Sequence, residues 1–532
     1  MNSDDSLLHR LEQLNAIGVA LSKERNITNL LESILLAAKT IMRADGGTLY
    51  RMNHAHTALR FEILRTDSLQ FAMGGSSGRP IHFPEIPLFT PEGVPNDSHV
   101  AAYAAIHART VNISNAYTEA DFDFSGTRIF DVKTGYRSQS FLTVPMKDHD
   151  GDVIGVLQLI NAKRLSDGAV IPFSLADQNL AESLASQAAI AITNRHLVGQ
   201  MEVLFESFIN VLNLALDEKS RHTGGHCQRV PALTMMLAEA VSAHQEGTLA
   251  RFRMNERDRY ELKIASLLHD CGKVTTPVHI VDKATKLQTL FDRIELVDTR
   301  FEVKKRDAEI AMLRAQLALR TVQNPQAEAA LQTQYQAQQQ AMDTDRDFLR
   351  VVNRGAESMS DSDLQRVRDI GEASDFLTDD ELENLTIRAG TLTPKEREII
   401  NYHIVATIKM LEQLPWPKHL KNVPEYAGGH HERMDGRGYP KGLMRNQMSV
   451  QARIMGIADI FEALTARDRP YKEGMKLSQA MRIMQKFSQN GHIDPDIFAI
   501  FVKEKVYLRY ATAFLEAWQI DALDDALAPP KS

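Results

Sequence analysis

Two short segments concentrate side chains that bind metals and activate water. HHERMDGRGYP, His430 to Pro440, sets adjacent histidines beside Glu432 and Asp435 and then enters a Gly/Pro loop, while an earlier HDCGK runs from His269 to Lys273. Neutral imidazole and carboxylate together suit Fe, Mn or Zn, whereas a thiolate-rich set would point to structural zinc. An Asp beside a His can bridge two metals while the His ligates one. This chemistry is that of a hydrolytic metal site. Three further blocks carry candidate ligands: HTGGHCQRV from His222, LTPKEREIINYHI from Leu392 and ARIMGIADIFEALTARDRPYK from Ala452.

Each block lies beside an apolar stretch with helical spacing, so helices must position the candidates. His269 and Asp270 end the amphipathic run ELKIASLL and should project from the end of a buried helix. The 532 residues exceed one ordinary core, and a prior of about 150 residues per domain gives roughly three units. Between Asn26 and Asn194 the pattern alternates helix and strand. ITNLLESILLAAKTIM reads as an amphipathic helix, GGTLYRMN and LRFEILRT as strands, and Val144, Met146 and Val153 to Ile160 as a strand pair turning at Asp148 to Gly151. SLADQNLAESLASQAAIAITNRHL closes this unit as a helix. Beyond it Leu197, Met201, Leu204, Phe208, Val211 and Ala215 alternate steps of four and three, the seam of a left-handed coiled coil, and neither Gly nor Pro breaks the run from Gln200 to Arg221.

Composition bounds the setting. Hydrophobic residues make up 43% and charged residues 24%, an ordinary soluble balance. No apolar run reaches the length of a membrane span and the N-terminus lacks signal-peptide features, so a cytoplasmic protein without membrane contact is expected. Two cysteines, Cys227 and Cys271, imply no disulfide framework, and a net charge of -8 argues against binding long nucleic acids.

TGYRSQSFLTVPMKDHDGDVIGVLQLINAK, within Asp121 to Lys163, resembles the GAF family, in particular GAF domains of cyclic-nucleotide phosphodiesterases and cyclases. Members that bind cyclic nucleotides continue with Asn-Lys, whereas Asn161, Ala162 and Lys163 are one residue out of step. The ligand is therefore unassigned, and a GAF used only for dimerisation is the alternative. The later blocks, with HD-x-G-K, HHE-x-x-DG-x-GYP and AD-x-x-x-ALT followed by DRPY, identify the region from Asp217 to about Asp494 as similar to the HD-GYP branch of the HD phosphohydrolases.

The resemblance implies hydrolysis of cyclic di-GMP to pGpG, and in some members GMP, at two divalent metals, Fe or Mn. It places His226, His269, Asp270, His403, His430, His431 and Asp459 on metal, with Asp270 as the bridging, catalytic carboxylate. It makes Lys273 a catalytic phosphate contact, gives Arg469 and Lys472 to substrate, and assigns Gly438, Tyr439 and Pro440 to the pocket edge. Glu432, Arg433 and Asp435 would orient the histidines and loop. His222 stands where trinuclear members carry Glu, so it either ligates a third metal or is a solvent-facing or supporting residue. Cys271 reads as a small buried filler, and His244, His279, His419 and His492 as surface residues.

The expected organisation is a GAF domain of antiparallel sheet and flanking helices (1–196), a connecting helix (197–216) that joins two copies, an all-helical HD-GYP domain (217–510) and a tail (511–532). The family pattern is interrupted at 284–391. Leu290, Ile294, Val297, Phe301 and Ala308 indicate one long helix there and AALQTQYQAQQQAMDTDRDFLRVV a second, turning at Asn324-Pro325 into a helical hairpin. Two rival activities are a hydrolase of cyclic GMP-AMP and a non-hydrolysing adaptor that binds cyclic di-GMP.

Overall fold

A computed structural model describes residues 3–24, 26–219, 225–320, 325–355, 358–373, 376–467 and 474–523. His222, Arg469 and Lys472 lie outside the described residues. The chain divides into two compact units, Met1–Leu204 and Phe205–Ser532.

In the first unit α1 (Ser3–Lys23) and α2 (Ile27–Met42) precede β1 (Ala44–Met52), β2 (Ala58–Thr66), β3 (Phe71–Gly74) and β4 (Ile86–Pro87). There follow α3 (Val100–His107), β5 (Val111–Ile113), α4 (Ser125–Thr134), β6 (Phe141–Lys147), β7 (Val153–Lys163), β8 (Val170–Ile171) and α5 (Leu175–Lys219). The strands form one antiparallel sheet in the order β3-β2-β1-β7-β6-β5, with β4 on β2 and β8 on β7. This is the α/β unit the sequence predicts.

α2 begins where the Asn26 side chain accepts the N–H groups of Thr28 and Asn29, and it ends at Arg43 in the left-handed region. Its buried stripe, Leu30, Leu31, Ile34, Leu35 and Ala38, shares a core with Leu49 and Leu157 of the sheet and Leu184 and Ala188 of α5. On another cluster α3 covers Tyr50, Leu59 and Val156. The residues that break the family's Asn-Lys register have structural partners. Asn161, at φ 59°, accepts the N–H of Gln139 at 2.7 Å, and the Lys163 ammonium pairs with the buried Asp45 carboxylate, which also accepts the Tyr136 hydroxyl at 2.6 Å.

α5 is a single helix through Lys219, with Leu197, Met201, Leu204, Phe208 and Val211 all exposed on it. The described part of the second unit is helical: α6 (His226–Ala243), α7 (Glu256–Leu268), α8 (Val278–Val281), α9 (Ile294–Arg320), α10 (Pro325–Asn353), α11 (Asp361–Glu372), α12 (Asp379–Leu385), α13 (Pro394–Glu412), α14 (Val423–Gly428), α15 (Val450–Thr465), α16 (Leu477–Gln489), α17 (Pro495–Lys503) and α18 (Val506–Phe514). A large core joins α6, α7, α14, α15, α16, α17 and α18 through residues such as Leu237, Leu262, Tyr426, Phe461, Met481, Phe501 and Tyr510.

α9 and α10 run antiparallel. The pairs Asp298–Arg350, Lys305–Asp343 and Gln316–Gln332 step along both helices in opposite directions. The segment holds more than a hairpin: α11 and α12 join its base, where Val297, Phe301, Leu349, Leu364, Val367 and Leu385 form a separate small core. Leu290 does not belong to the first helix; it lies before α9 and is 93% exposed. The short helices escaped sequence reading because each offers only two or three apolar positions, too few to establish a period.

Candidate metal centre

Five helices, and the turns that follow two of them, converge on one buried cluster. α7 is started by a capping box between Asn255 and Asp258 and delivers His269 and Asp270 where it gives way to the turn Cys271–Thr275. That turn lies directly against α13. A Cβ on Gly272 would sit 2.0 Å from the His403 carbonyl oxygen, so a glycine is required for the approach. The Gly272 N–H donates to the Thr407 hydroxyl at 2.9 Å, and this hydroxyl donates to the His269 carbonyl at 3.3 Å. α13, begun by Thr393, Pro394 and Glu396, carries His403; α14 leads into His430 and His431; α15 carries Asp459; and His226 opens α6.

The ligand-type atoms form two triads, His226–His269–Asp270 and His403–His430–His431. Asp270 lies between them. Its Oδ2 is 3.1 Å from His226 Nε2 and 3.2 Å from His269 Nε2, while its Oδ1 is 3.3 Å from His403 Nε2. Asp459 Oδ1 approaches His226 Nε2 at 3.3 Å and His269 Nε2 at 3.9 Å.

The far nitrogen of each ring fixes its tautomer. Nδ1–H donates to the carbonyl three residues earlier in His269 (Ser266, 2.7 Å), His403 (Ile400, 2.5 Å) and His430 (Ala427, 2.6 Å). A carbonyl only accepts, so each Nε2 presents a lone pair to the cluster. The Nε2 atoms of His403 and His430 and the Oδ1 of Asp270 are buried without any hydrogen-bond partner. Orphaned buried acceptors are costly in a protein interior, and the Nε2 atoms of His226 and His269 approach within 3.3 Å of each other. A cation in each triad would satisfy these atoms, so the donor set fits divalent metal.

Charge follows the same plan. Burial lowers the pKa of His430 far below the imidazole range and that of His431 to about 4, leaving both rings neutral. Burial disfavours the Asp270 carboxylate, yet Lys273 and the surrounding histidines hold its pKa well below the usual range. Burial likewise opposes the charge on His226, and hydrogen bonds to Asp270, Asp459 and Glu462 overcome it and raise its pKa. With metal bound these histidines must be neutral, so binding releases a proton.

Two residues that the sequence reading did not single out support His226. Its Nδ1 meets Glu462 Oε2 at 2.5 Å, and the other oxygen of Glu462 accepts Arg229 Nε at 2.8 Å. Glu462 follows Asp459 by three positions on α15 and Arg229 follows His226 by three on α6, so each shares a helical face with a ligand. Thr407, four after His403 on α13, was legible by the same rule.

The loop residues act mostly on the protein itself. Glu432 accepts the N–H groups of Lys441 (2.7 Å) and Leu443 (2.8 Å), and Asp435 holds Arg433 through two contacts of 3.0 and 2.6 Å. The close approach that Gly438 permits is to backbone of Glu432 and Arg433, where a Cβ would meet Arg433 N at 2.3 Å. Tyr439, joined to Pro440 by a cis peptide, stacks its ring on His431 with centroids 4.8 Å apart. Lys273 Nζ is 2.5 Å from Asp270 Oδ2. Cys227 and Cys271 are both buried, with thiol pKa values pushed up to about 12 and about 11 by burial, so neither is a thiolate at neutral pH. His492, expected at the surface, is half-buried on the Phe487 ring, 4.4 Å between centroids.

Residues 26–192 match the GAF domain family, and residues 223–335 and 378–497 match HD domain families. The chain pairs a GAF domain with an HD domain. The two HD matches extend into the inserted segment from either side, and all seven described ligand candidates fall within them. Among curated relatives, a cyclic di-GMP phosphodiesterase of Pseudomonas aeruginosa is 39% identical over 116 residues, 22% of this chain and 27% of the relative. Two 3'3'-cGAMP-specific phosphodiesterases of Vibrio cholerae are also similar. Enzyme 1 is 44% identical over 81 residues (15% of this chain, 19% of the relative), and enzyme 3 is 37% identical over 118 residues (22% and 24%). The chain thus spans about a quarter or less of the length of each.

Proposed function

We propose that the HD domain is a metal-dependent phosphodiesterase that hydrolyses cyclic di-GMP to pGpG or GMP, under the control of the GAF domain in a cytoplasmic homodimer. The observation that carries this reading is the pair of triads joined by Asp270, with His403 Nε2, His430 Nε2 and Asp270 Oδ1 buried and orphaned within them. His226, His269, Asp270 and Asp459 would hold one divalent cation and His403, His430, His431 and Asp270 the other, as Fe or Mn. Bound there, such cations supply Lewis acidity toward a phosphodiester and lower the pKa of water.

The chain's own residues do the rest. Carbonyls of Ser266, Ile400 and Ala427 and the Glu462 carboxylate keep the imidazoles oriented, so ligand geometry needs no reorganisation during turnover. Lys273, paired with Asp270 at 2.5 Å, has its ammonium at the cluster and is the candidate phosphate contact. The stacked Tyr439 and the Gly438–Pro440 turn form the edge where a nucleotide would enter, and Arg469 and Lys472 are assigned to its phosphates from their motif. His222 remains the candidate for a third metal. The exposed seam on α5 is the proposed dimer contact. No described helix is long and apolar enough to cross a membrane.

The test is turnover of cyclic di-GMP by protein loaded anaerobically with Fe or aerobically with Mn, against an Asp270→Asn control. Absence of pGpG and GMP with both metals sinks the proposal. Similarity to the 3'3'-cGAMP enzymes favours a second reading, hydrolysis of cyclic GMP-AMP, so both dinucleotides belong in the same assay.

A further inference from the structure

The inserted α9 carries a second apolar stripe that α10 leaves uncovered. Leu296, Val303, Ile310 and Leu317 recur at every seventh residue, Leu313 follows Ile310 by three, and all five are 44 to 68% exposed. Seven-residue recurrence with a second position three further on is the seam of a left-handed coiled coil, and it asks for another helix.

The charges along α9 divide in the same way. On the side facing α10, Asp298 pairs with Arg350, Glu302 with Arg346 and Lys305 with Asp343. Asp307 and Arg314 flank the uncovered seam, each one position after Arg306 or Leu313, and among the described residues neither has an ion-pair partner.

We propose that this stripe packs antiparallel against α9 of a second copy of the chain, with Ile310 of each copy opposite Leu313 of the other. Antiparallel coiled coils bring like-named flanking positions of the two helices together across the seam. In this register Asp307 of each copy meets Arg314 of the other, giving two opposite-charge pairs around two central Ile–Leu layers. Sliding by one heptad in one direction sets Asp307 against Asp307, and in the other Arg314 against Arg314. A parallel, in-register pair sets Glu302 against Asp307. The charges therefore select one orientation and one register. Arg306 fills the seam position between Val303 and Ile310, opposite Leu317, where its methylene stem covers the leucine while the guanidinium reaches water. The contact is independent of the reaction proposed above and of the α5 seam.

Full-length chains bearing Ile310→Cys and Leu313→Cys, each with a different tag, test the pairing; native Cys227 and Cys271 are buried and do not compete. Mild oxidation of the mixture should give a mixed-tag covalent dimer, and each variant alone should give little. Arg314→Asp placed in both chains should lower the yield several-fold, and adding Asp307→Arg to both should restore it. Absence of the mixed dimer overturns the proposal, as does a yield indifferent to charge reversal. Equally rapid self-linking of the Ile310→Cys chain, the mark of a parallel pair, also overturns it.

Discussion

Replacing Gly272 by Ala tests whether the site depends on the contact between its two halves. The added Cβ would lie 2.0 Å from the His403 carbonyl oxygen, 2.5 Å from Thr407 N and 2.7 Å from Thr407 Oγ1. Two of these atoms are helix backbone and cannot rotate away. To reach an ordinary contact of about 3.4 Å, α13 and the turn must part by about 1.4 Å. Overpacking of this kind costs about 1 to 3 kcal/mol, and loss of the hydrogen bond between Gly272 and Thr407 adds about 1 kcal/mol. At roughly 2 to 4 °C per kcal/mol for a domain of this size, the melting temperature of the HD domain should fall by about 5 to 15 °C.

The same displacement carries His403 away from Asp270, now 3.3 Å apart, and a shift of about 1 Å at a reacting centre costs on the order of a hundredfold in rate. Thr407→Val is the control, since it removes the hydroxyl's hydrogen bonds to Gly272 and His269 without pushing α13 and should cost about 1 to 3 kcal/mol while leaving His403 in place. The measurements are thermal unfolding without metal, Mn titration calorimetry and phosphodiester turnover. A Gly272→Ala protein that melts within 1 °C of the parent (roughly 0.3 kcal/mol) and binds Mn equally well would refute the argument.

Glu462→Gln removes the charged partner of His226 Nδ1 and of Arg229, and Mn affinity in a chelator competition should fall 10- to 100-fold. Metal removal should itself destabilise: at a free concentration 100 times Kd, re-added Mn should restore about 2.7 kcal/mol, read as a rise in the melting temperature that Asp270→Asn lacks. Lys286 is 1% exposed, its ammonium has among the described residues only the Leu385 carbonyl (3.0 Å) and Met359 sulfur (3.4 Å) for partners, and burial pushes its pKa down to about 8. Between about pH 8 and its unfolded value near 10.4 the unfolded chain holds more protons, so stability rises with pH there. Relative to Lys286→Met, urea unfolding should show the parent gaining about 2 kcal/mol from pH 7.5 to pH 9.5.

How much the sequence disclosed varied with how local the cause was. α2 and α7 were legible because their apolar period lies within one stretch of chain, and His430 and His431 because their motif carries ligand types at short spacing; His403, a lone imidazole on its helix, was placed only by the family resemblance. Glu462 and Arg229 were missed because a lone Glu or Arg on a helix is usually a solvated residue. Only the packing of α6 on α15 shows that they meet across 233 positions of sequence, and the face they share with a ligand was the one available signal. Gly438 taught a different lesson. The resemblance places it at the pocket edge, but the backbone its missing Cβ admits is the chain's own, because a tight loop pinned at Lys441 and Leu443 by Glu432 must first pass its own strand of chain.

The insertion between Asp270 and His403 ought to endanger a site that both residues share, yet its ends explain why the triads survive. The Thr391 hydroxyl donates to the Lys283 carbonyl at 2.9 Å, so the chain leaves and returns at one point. The Lys283 ammonium then ties Asn384 (2.8 Å) to Glu396 (2.8 Å), the residue that caps the helix bearing His403. Loop-closure entropy grows only logarithmically with length, by about 0.6 kcal/mol per doubling, and the inserted segment offsets its own ordering through a separate core. Clasped at the root, the insertion is free to be long without straining α13. Excising residues 286–389 and joining the ends through a short Gly/Ser link should therefore leave Mn affinity within about threefold, under 1 kcal/mol, in a chain whose helical circular dichroism falls only by the excised helices. A loss of more than a hundredfold in a folded product would show instead that the inserted core, and not the clasp at Lys283, holds His403 in place.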